Sequence, residues 1–134
     1  MCKELTRMIA GIGVDIAEVN RIQEKIERTD TFKQHVFSEN EITYCEKQKF
    51  PFVHFAARWA VKEAYLKAFG LKYIGNPRLP EIGTMHQVNG TTYVHLLGKA
   101  LEEHAEKKLG IIHLSISHTK EIVIAYVIIE AILE

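Results

Sequence analysis

The stretch "FAARWAVKEAYLKAFG", residues 55–70, reads as a helix: alanine and leucine fill helical positions and Gly70 supplies the stop. Projected at about 100° per residue, Phe55, Trp59 and Leu66 share one face, while His54, Arg58, Lys62 and Tyr65 take a second arc. Glu63 belongs to neither group. It falls about 40° from Trp59, on the apolar side, with Ala56 and Ala60 beside it. A lone buried carboxylate is costly, whereas one held by a cation or by hydrogen-bond donors is tolerated. The competing account is a surface ion pair with Lys67, four residues on and in the favourable orientation, worth about 0.3 kcal/mol. Glu63 interrupts the apolar arc, which favours a functional role.

Around this helix the chain reads as an α+β protein. "MIAGIGVDI", residues 8–16, is a first strand, followed by a helix over 17–28 whose buried stripe is Val19, Ile22 and Ile26. Residues 31–36 form a short helical turn. Ser38 and Glu41 match a capping box that opens a helix running to about Gln48, and Pro51 starts the long helix. A loop spans 70–81, with Gly75, Pro77 and Pro80 as breakers. Residues 82–88 and 92–97 are strands joined through Asn89-Gly90. A helix over 98–109 ends at Gly110, and "IIHLSISH" (111–118) and "EIVIAYVII" (121–129) are strands around a tight turn. The order β-α-α-α-β-β-α-β-β predicts a largely antiparallel sheet with the long helix packed on it.

With 134 residues, 47% hydrophobic and 25% charged, the chain suits one soluble domain, residues 1–134, with a modest core. The formal net charge is zero, so no general affinity for nucleic acid or anionic membrane is expected, and an electrostatic partner must be met by a local patch. Cys2 and Cys45 are too few for a disulfide framework or a zinc site. The N-terminus lacks a secretory apolar core, and the longest apolar run, 122–129, falls far short of the roughly 20 residues that span a bilayer. The expected compartment is a reducing cytoplasm, without membrane insertion.

Three further stretches can carry chemistry. In "GIGVDI" strand alternation places Ile12, Val14 and Ile16 on one face and Gly11, Gly13 and Asp15 on the other. The glycines leave bare backbone leading to Asp15, room for a ligand or another chain to approach; alternatively Asp15 caps the following helix. Together Asp15 and Glu63 suggest a site for a hard cation such as Mg²⁺, which takes oxygen ligands, keeps water, and is often held by one or two carboxylates plus substrate phosphates. In "SISHTK", residues 115–120, His118 lies at a strand end beside Lys120, where both can meet an anion; the alternative is a turn that merely satisfies local backbone groups. Arg21, Lys25 and Arg28 form a basic stripe on the first helix, either plain solvated surface or a means of steering an acidic protein.

Taken together, "GIGVDI", "FAARWAVKEAYLKAFG" and "SISHTKE" resemble the holo-(acyl-carrier-protein) synthases, small single-domain 4′-phosphopantetheinyl transferases, over nearly the whole chain, about 9–130. The resemblance implies a phosphopantetheinyl transferase-like fold. It implies Mg²⁺-dependent transfer of the 4′-phosphopantetheine arm from coenzyme A to a serine of an apo acyl carrier protein, releasing adenosine 3′,5′-bisphosphate. Asp15 and Glu63 match the family's Mg²⁺-binding acids and, with Lys62, its catalytic positions. Lys62 and His118 match positions near the coenzyme A phosphates, with Lys67 beside them as a further cofactor-binding residue. Arg21 and Arg28 match positions that contact the acidic carrier protein. Relatives of this size imply a homotrimer with active sites between subunits. Two departures stand out: "GLKYIG", residues 70–75, replaces a small glycine-rich turn and bears Lys72 and Tyr73 on the loop enclosing coenzyme A, and Asn89-Gly90-Thr91-Thr92 replaces the usual Gly-Lys-Pro-like turn. A non-catalytic oligomeric binding module and a metal-dependent phosphohydrolase are the competing function classes.

Overall fold

The computed structural model describes residues 7–70 and 78–133. The loop residues Lys72 and Tyr73 therefore lie outside the described part. Strand β1 (Arg7–Glu18) leads into α1 (Val19–Arg28), α2 (Asp30–Val36), α3 (Glu39–Glu46) and the long α4 (Pro51–Phe69). A 3₁₀ turn (Leu79–Glu81), β2 (Ile82–His86), β3 (Thr92–Leu96), α5 (Gly98–Glu106), β4 (Leu109–His118) and β5 (Ile122–Ile132) complete the order. The strands form two antiparallel sheets rather than one: β1-β5-β4, and the hairpin β2-β3. The expected short turn near residue 31 is a seven-residue helix, because the Thr29 side chain accepts from the Phe32 amide and caps it. Among the described residues no helix is long and apolar enough to cross a membrane.

α4 is the hub of the molecule. Pro51 opens it, and Gly70 closes it at φ 109°, where its amide reaches the Leu66 and Lys67 carbonyls. Its two arcs are not one buried and one solvated. Phe55, Trp59 and Leu66 are buried, but so are Arg58, Lys62 and Tyr65. A helix enclosed on nearly all sides forces each polar side chain on it to find a partner inside the protein or to await a ligand.

β1 crosses α4 at very short range. A Cβ on Gly11 would lie 1.8 Å from the Ala68 carbonyl oxygen, and one on Gly13 2.0 Å from that of Ala64. The bare backbone of "GIG" is therefore filled by the chain's own helix, not left for a ligand or another chain. The matching ridge on α4 is Ala56, Ala60, Ala64 and Ala68, one small residue per turn and all buried, so Ala56 and Ala60 border no open space.

The other face of β1 is open. Ile12, Val14 and Ile16 are about half exposed, and across the sheet Val14 pairs with Tyr126 and Ile16 with Ile124, both also exposed. The result is a continuous apolar sheet face with no helix over it among the described residues.

Candidate functional site

Asp15 shares the glycine face of β1, so the packing that brings Gly13 onto Ala64 also turns its carboxylate toward α4. β1 continues to Glu18, three residues beyond Asp15, and the side chain of Asp15 caps no helix. Its Oδ1 instead accepts from Lys67 Nζ at 3.1 Å, and the same ammonium donates to the Val14 carbonyl at 2.9 Å. Lys67 thus pairs across to β1 and makes no hydrogen bond to Glu63, its neighbour four residues back.

Glu63 is 9% exposed. Its Oε2 and the Asp15 Oδ2 are both buried without a hydrogen-bond partner. Burial first, and then the nearby Asp15 charge, push the Glu63 carboxyl above its ordinary value, against the opposing pull of Lys67 and Lys25. Burial likewise raises Asp15, with the Lys67 hydrogen bond working against it. Two carboxylates close enough to repel, each with an orphaned inward oxygen, need positive charge between them. The donors are hard oxygens, which fits Mg²⁺. No three His, Cys, Asp or Glu side chains form a metal cluster among the described residues, so protein would supply two ligands and water or substrate oxygens the remainder.

Lys62, expected beside phosphate, stands elsewhere. Its ammonium is fully buried and spends its three donors on Glu41 Oε1 (2.8 Å), the Leu79 carbonyl (2.7 Å) and the Ile82 carbonyl (2.7 Å). Nothing is left to bind a ligand, and Lys62 is a structural clasp between α4, α3 and the 3₁₀ turn. This corrects its assignment to catalysis and to the coenzyme A phosphates. The cause is that Glu41 faces inward: its Oε1 closes the capping box on the Ser38 amide at 3.0 Å and receives Lys62 as well.

His118 ends β4 at the rim of a cleft of about 600 Å³ that also takes in Phe50, His54 and Lys120. A second cleft of about 430 Å³ shares His54 and His118 and adds Arg58, Thr84 and His86. Arg58 is only 5% exposed, and among the described residues no carboxylate pairs with it and its Nε lacks a partner, as does the Thr84 hydroxyl. These are the groups that the motif reading passed over. The available signal was that Arg58 has no acid within a helical turn in either direction.

On α1, Arg21 and Arg28 are exposed, Arg21 reaching Glu18 only at 4.0 Å. Lys25 is drawn out of the stripe, its ammonium 5.4 Å above the Trp59 ring and 5.6 Å from that of Phe32.

Residues 11–127 match the profile of the 4′-phosphopantetheinyl transferase superfamily. The chain is 45% identical over 123 residues to the holo-[acyl-carrier-protein] synthase of Clostridium tetani, covering 92% of this chain and 97% of that relative. It is 35% identical over 126 residues to that of Syntrophus aciditrophicus, covering 93% and 98%. Among solved structures, the holo-[acyl-carrier-protein] synthase of Neisseria meningitidis superposes with a TM-score of 0.83 at 27% identity, covering 91% and 98% of the two chains. The holo-(acyl-carrier-protein) synthase of Bacillus anthracis, in complex with CoA (3′,5′-ADP), superposes with a TM-score of 0.74 at 32% identity, covering 92% and 98%.

Proposed function

The chain belongs to the 4′-phosphopantetheinyl transferase superfamily, as an enzyme of the holo-(acyl-carrier-protein) synthase kind, and from that premise we propose how its residues divide the work. The reaction is Mg²⁺-dependent transfer of phosphopantetheine from coenzyme A to a serine of an acidic apo acyl carrier protein, in the cytoplasm, by residues 1–134 acting as one domain. The observation that carries this reading is the pair of buried carboxylate oxygens without hydrogen-bond partners, Asp15 Oδ2 on β1 and Glu63 Oε2 on α4, whose acids lie close enough for one charge to act on the other. Asp15 and Glu63 would hold Mg²⁺, which when bound supplies positive charge for the pyrophosphate oxygens and a fixed orientation for the phosphorus.

The serine oxygen forms a bond to the phosphorus carrying the pantetheine arm. The bond from that phosphorus to the bridging oxygen breaks, and adenosine 3′,5′-bisphosphate leaves with the electron pair. The serine proton passes to Glu63 or to a water held by one of the two carboxylates; both routes end with it on a base within reach of the acid pair. Lys67 orients Asp15 and favours its ionised form against the effect of burial, and lies ready to accompany the phosphate charge. Arg58 and His118 line the clefts that receive the bisphosphate half.

Glu63 and Arg58 are five residues apart, hence about 140° around α4 and about 7.5 Å along it. The acid pair and the Arg58 cleft thus lie on different flanks of one chain. That separation supports a homotrimer in which the acids of one copy face the cleft of the next, and the bare apolar face of β1 and β5 gives the copies a surface to bury. Arg21 and Arg28 receive the acidic carrier protein.

Mass spectrometry of apo carrier protein incubated with the protein, coenzyme A and Mg²⁺ tests the reading. A gain of the phosphopantetheine mass supports it. Cleaved coenzyme A with unmodified carrier points to a phosphohydrolase, and metal-independent binding without turnover to a binding module.

A further inference from the structure

The two clefts that meet at His118 carry more imidazole than a simple cationic pocket needs. His54 on α4, His86 at the end of β2 and His118 at the end of β4 converge there from three elements. Tyr44 of α3 ties two of them together: its ring centroid lies 5.9 Å from that of His54, 5.8 Å from that of His86, and 4.5 Å from the Arg58 guanidinium carbon. Arg58 Nε and the Thr84 hydroxyl lie buried and unpartnered beside them, and Lys120 lines the outer cleft. No carboxylate lines either cleft among the described residues. The chemistry is that of an anion site in which part of the positive charge depends on pH. His118 fits this by position: it sits at the rim the two clefts share, with its Nδ1 turned to the Thr119 carbonyl at 3.1 Å.

We propose that His54 and His86, with His118 and Arg58, grip a terminal phosphomonoester dianion, so that coenzyme A binding at this cleft is coupled to proton uptake. The inference rests on the coenzyme A reading above and adds to it two residues and a pH dependence. The sign follows from the surroundings. Burial, and then the charges of Arg58, His118 and His86, hold the His54 imidazole below its ordinary value and so favour its neutral form. A dianion reverses the balance and favours imidazolium. Affinity therefore rises as pH falls, until the phosphomonoester itself takes up a proton near pH 6.

Isothermal titration of the protein with coenzyme A and with 3′-dephospho-coenzyme A, both in excess Mg²⁺, at pH 6.5, 7.5 and 8.5, separates this from any titration of the acid pair. That pair meets both ligands equally and cancels in their affinity ratio. We expect the ratio to favour coenzyme A by about tenfold more at pH 6.5 than at pH 8.5, with net proton uptake seen as a buffer-dependent heat for coenzyme A alone. The separate variants His54→Phe and His86→Asn should each weaken coenzyme A binding at pH 6.5 and flatten the slope of the ratio; His86 is exposed, so its variant tests the idea even if the helical one misfolds. A ratio that does not move with pH, or that keeps its slope in His86→Asn, overturns the proposal while leaving the transferase reading intact. Absence of coenzyme A binding at every pH overturns both.

Discussion

Lys62 and Glu63 are neighbours in sequence, both charged and both buried on α4, yet the helix turns them to opposite fates. Lys62 meets a finished set of acceptors: one carboxylate oxygen and two carbonyls, all within 2.8 Å. Glu63 meets another acid and leaves an oxygen with nothing to accept from. Burial alone therefore does not mark a functional charge. What distinguishes the two is satisfaction: folding completes the environment of Lys62, while that of Glu63 waits for a cation.

The largest effect should come from removing the unsatisfied member. Glu63→Gln is expected to lower carrier-protein modification by about 10³-fold while raising the thermal midpoint by roughly 2–5 °C. The sign of the second change follows from the raised Glu63 carboxyl: the fold prefers it protonated, so its contribution is favourable below the ordinary carboxylate range and is lost as pH climbs through the raised value. At pH 7 the wild type carries that penalty and the amide does not. The gap between the two melting points should close as pH falls toward 4.5, the ordinary value. A variant that loses stability at pH 7 would break the contrast with Lys62.

Lys62→Met should do the opposite, costing about 3–5 kcal/mol in denaturant unfolding, since it strands Glu41 in the interior. Replacing Glu41 with Leu in the same chain should recover much of that loss, because an apolar pair leaves no buried charge behind. Unchanged coenzyme A affinity in the double variant would sharpen the assignment of Lys62 to structure.

Gly13→Ala tests how the unsatisfied pair is held. The added methyl meets the Ala64 carbonyl, so β1 and α4 must part, carrying Asp15 away from Glu63. A loss of about 2–3 kcal/mol is expected, with Mg²⁺ no longer raising the thermal midpoint of what remains folded.

The local devices were legible from residues alone. Ser38 and Glu41 cap α3, Pro51 and Gly70 bound α4, and alternation put Asp15 on the glycine face. What the chain order hides is which surface each face meets. The sequence offered a ligand or a second chain as the neighbour of "GIG", whereas the actual neighbour is α4 at Ala64 and Ala68, far along the chain. Lys62 was misplaced for the same reason. Its partners Glu41, Leu79 and Ile82 lie 17 to 21 residues away, beyond any helical period. The resemblance brought Asp15 and Glu63 together before any geometry did, but it passed over His54 and Arg58 on α4 and His86 on β2, whose meeting depends on two elements distant in the chain.

The same contrast repeats on α1, at lower stakes. Lys25 is drawn onto the Trp59 and Phe32 rings, whereas Arg21 keeps only a loose exposed contact with Glu18. An exposed ion pair at that distance adds little to stability, so Arg21 is free to serve a partner. Reversing it to Glu should leave the thermal midpoint within about 1 °C and raise the KM for carrier protein about tenfold, the KM for coenzyme A moving less than about twofold. The carrier effect should shrink in high salt, as expected for steering between exposed charges. Equal rises for both substrates would place Arg21 with the coenzyme A site instead, and the stripe on α1 would then lose its role in docking.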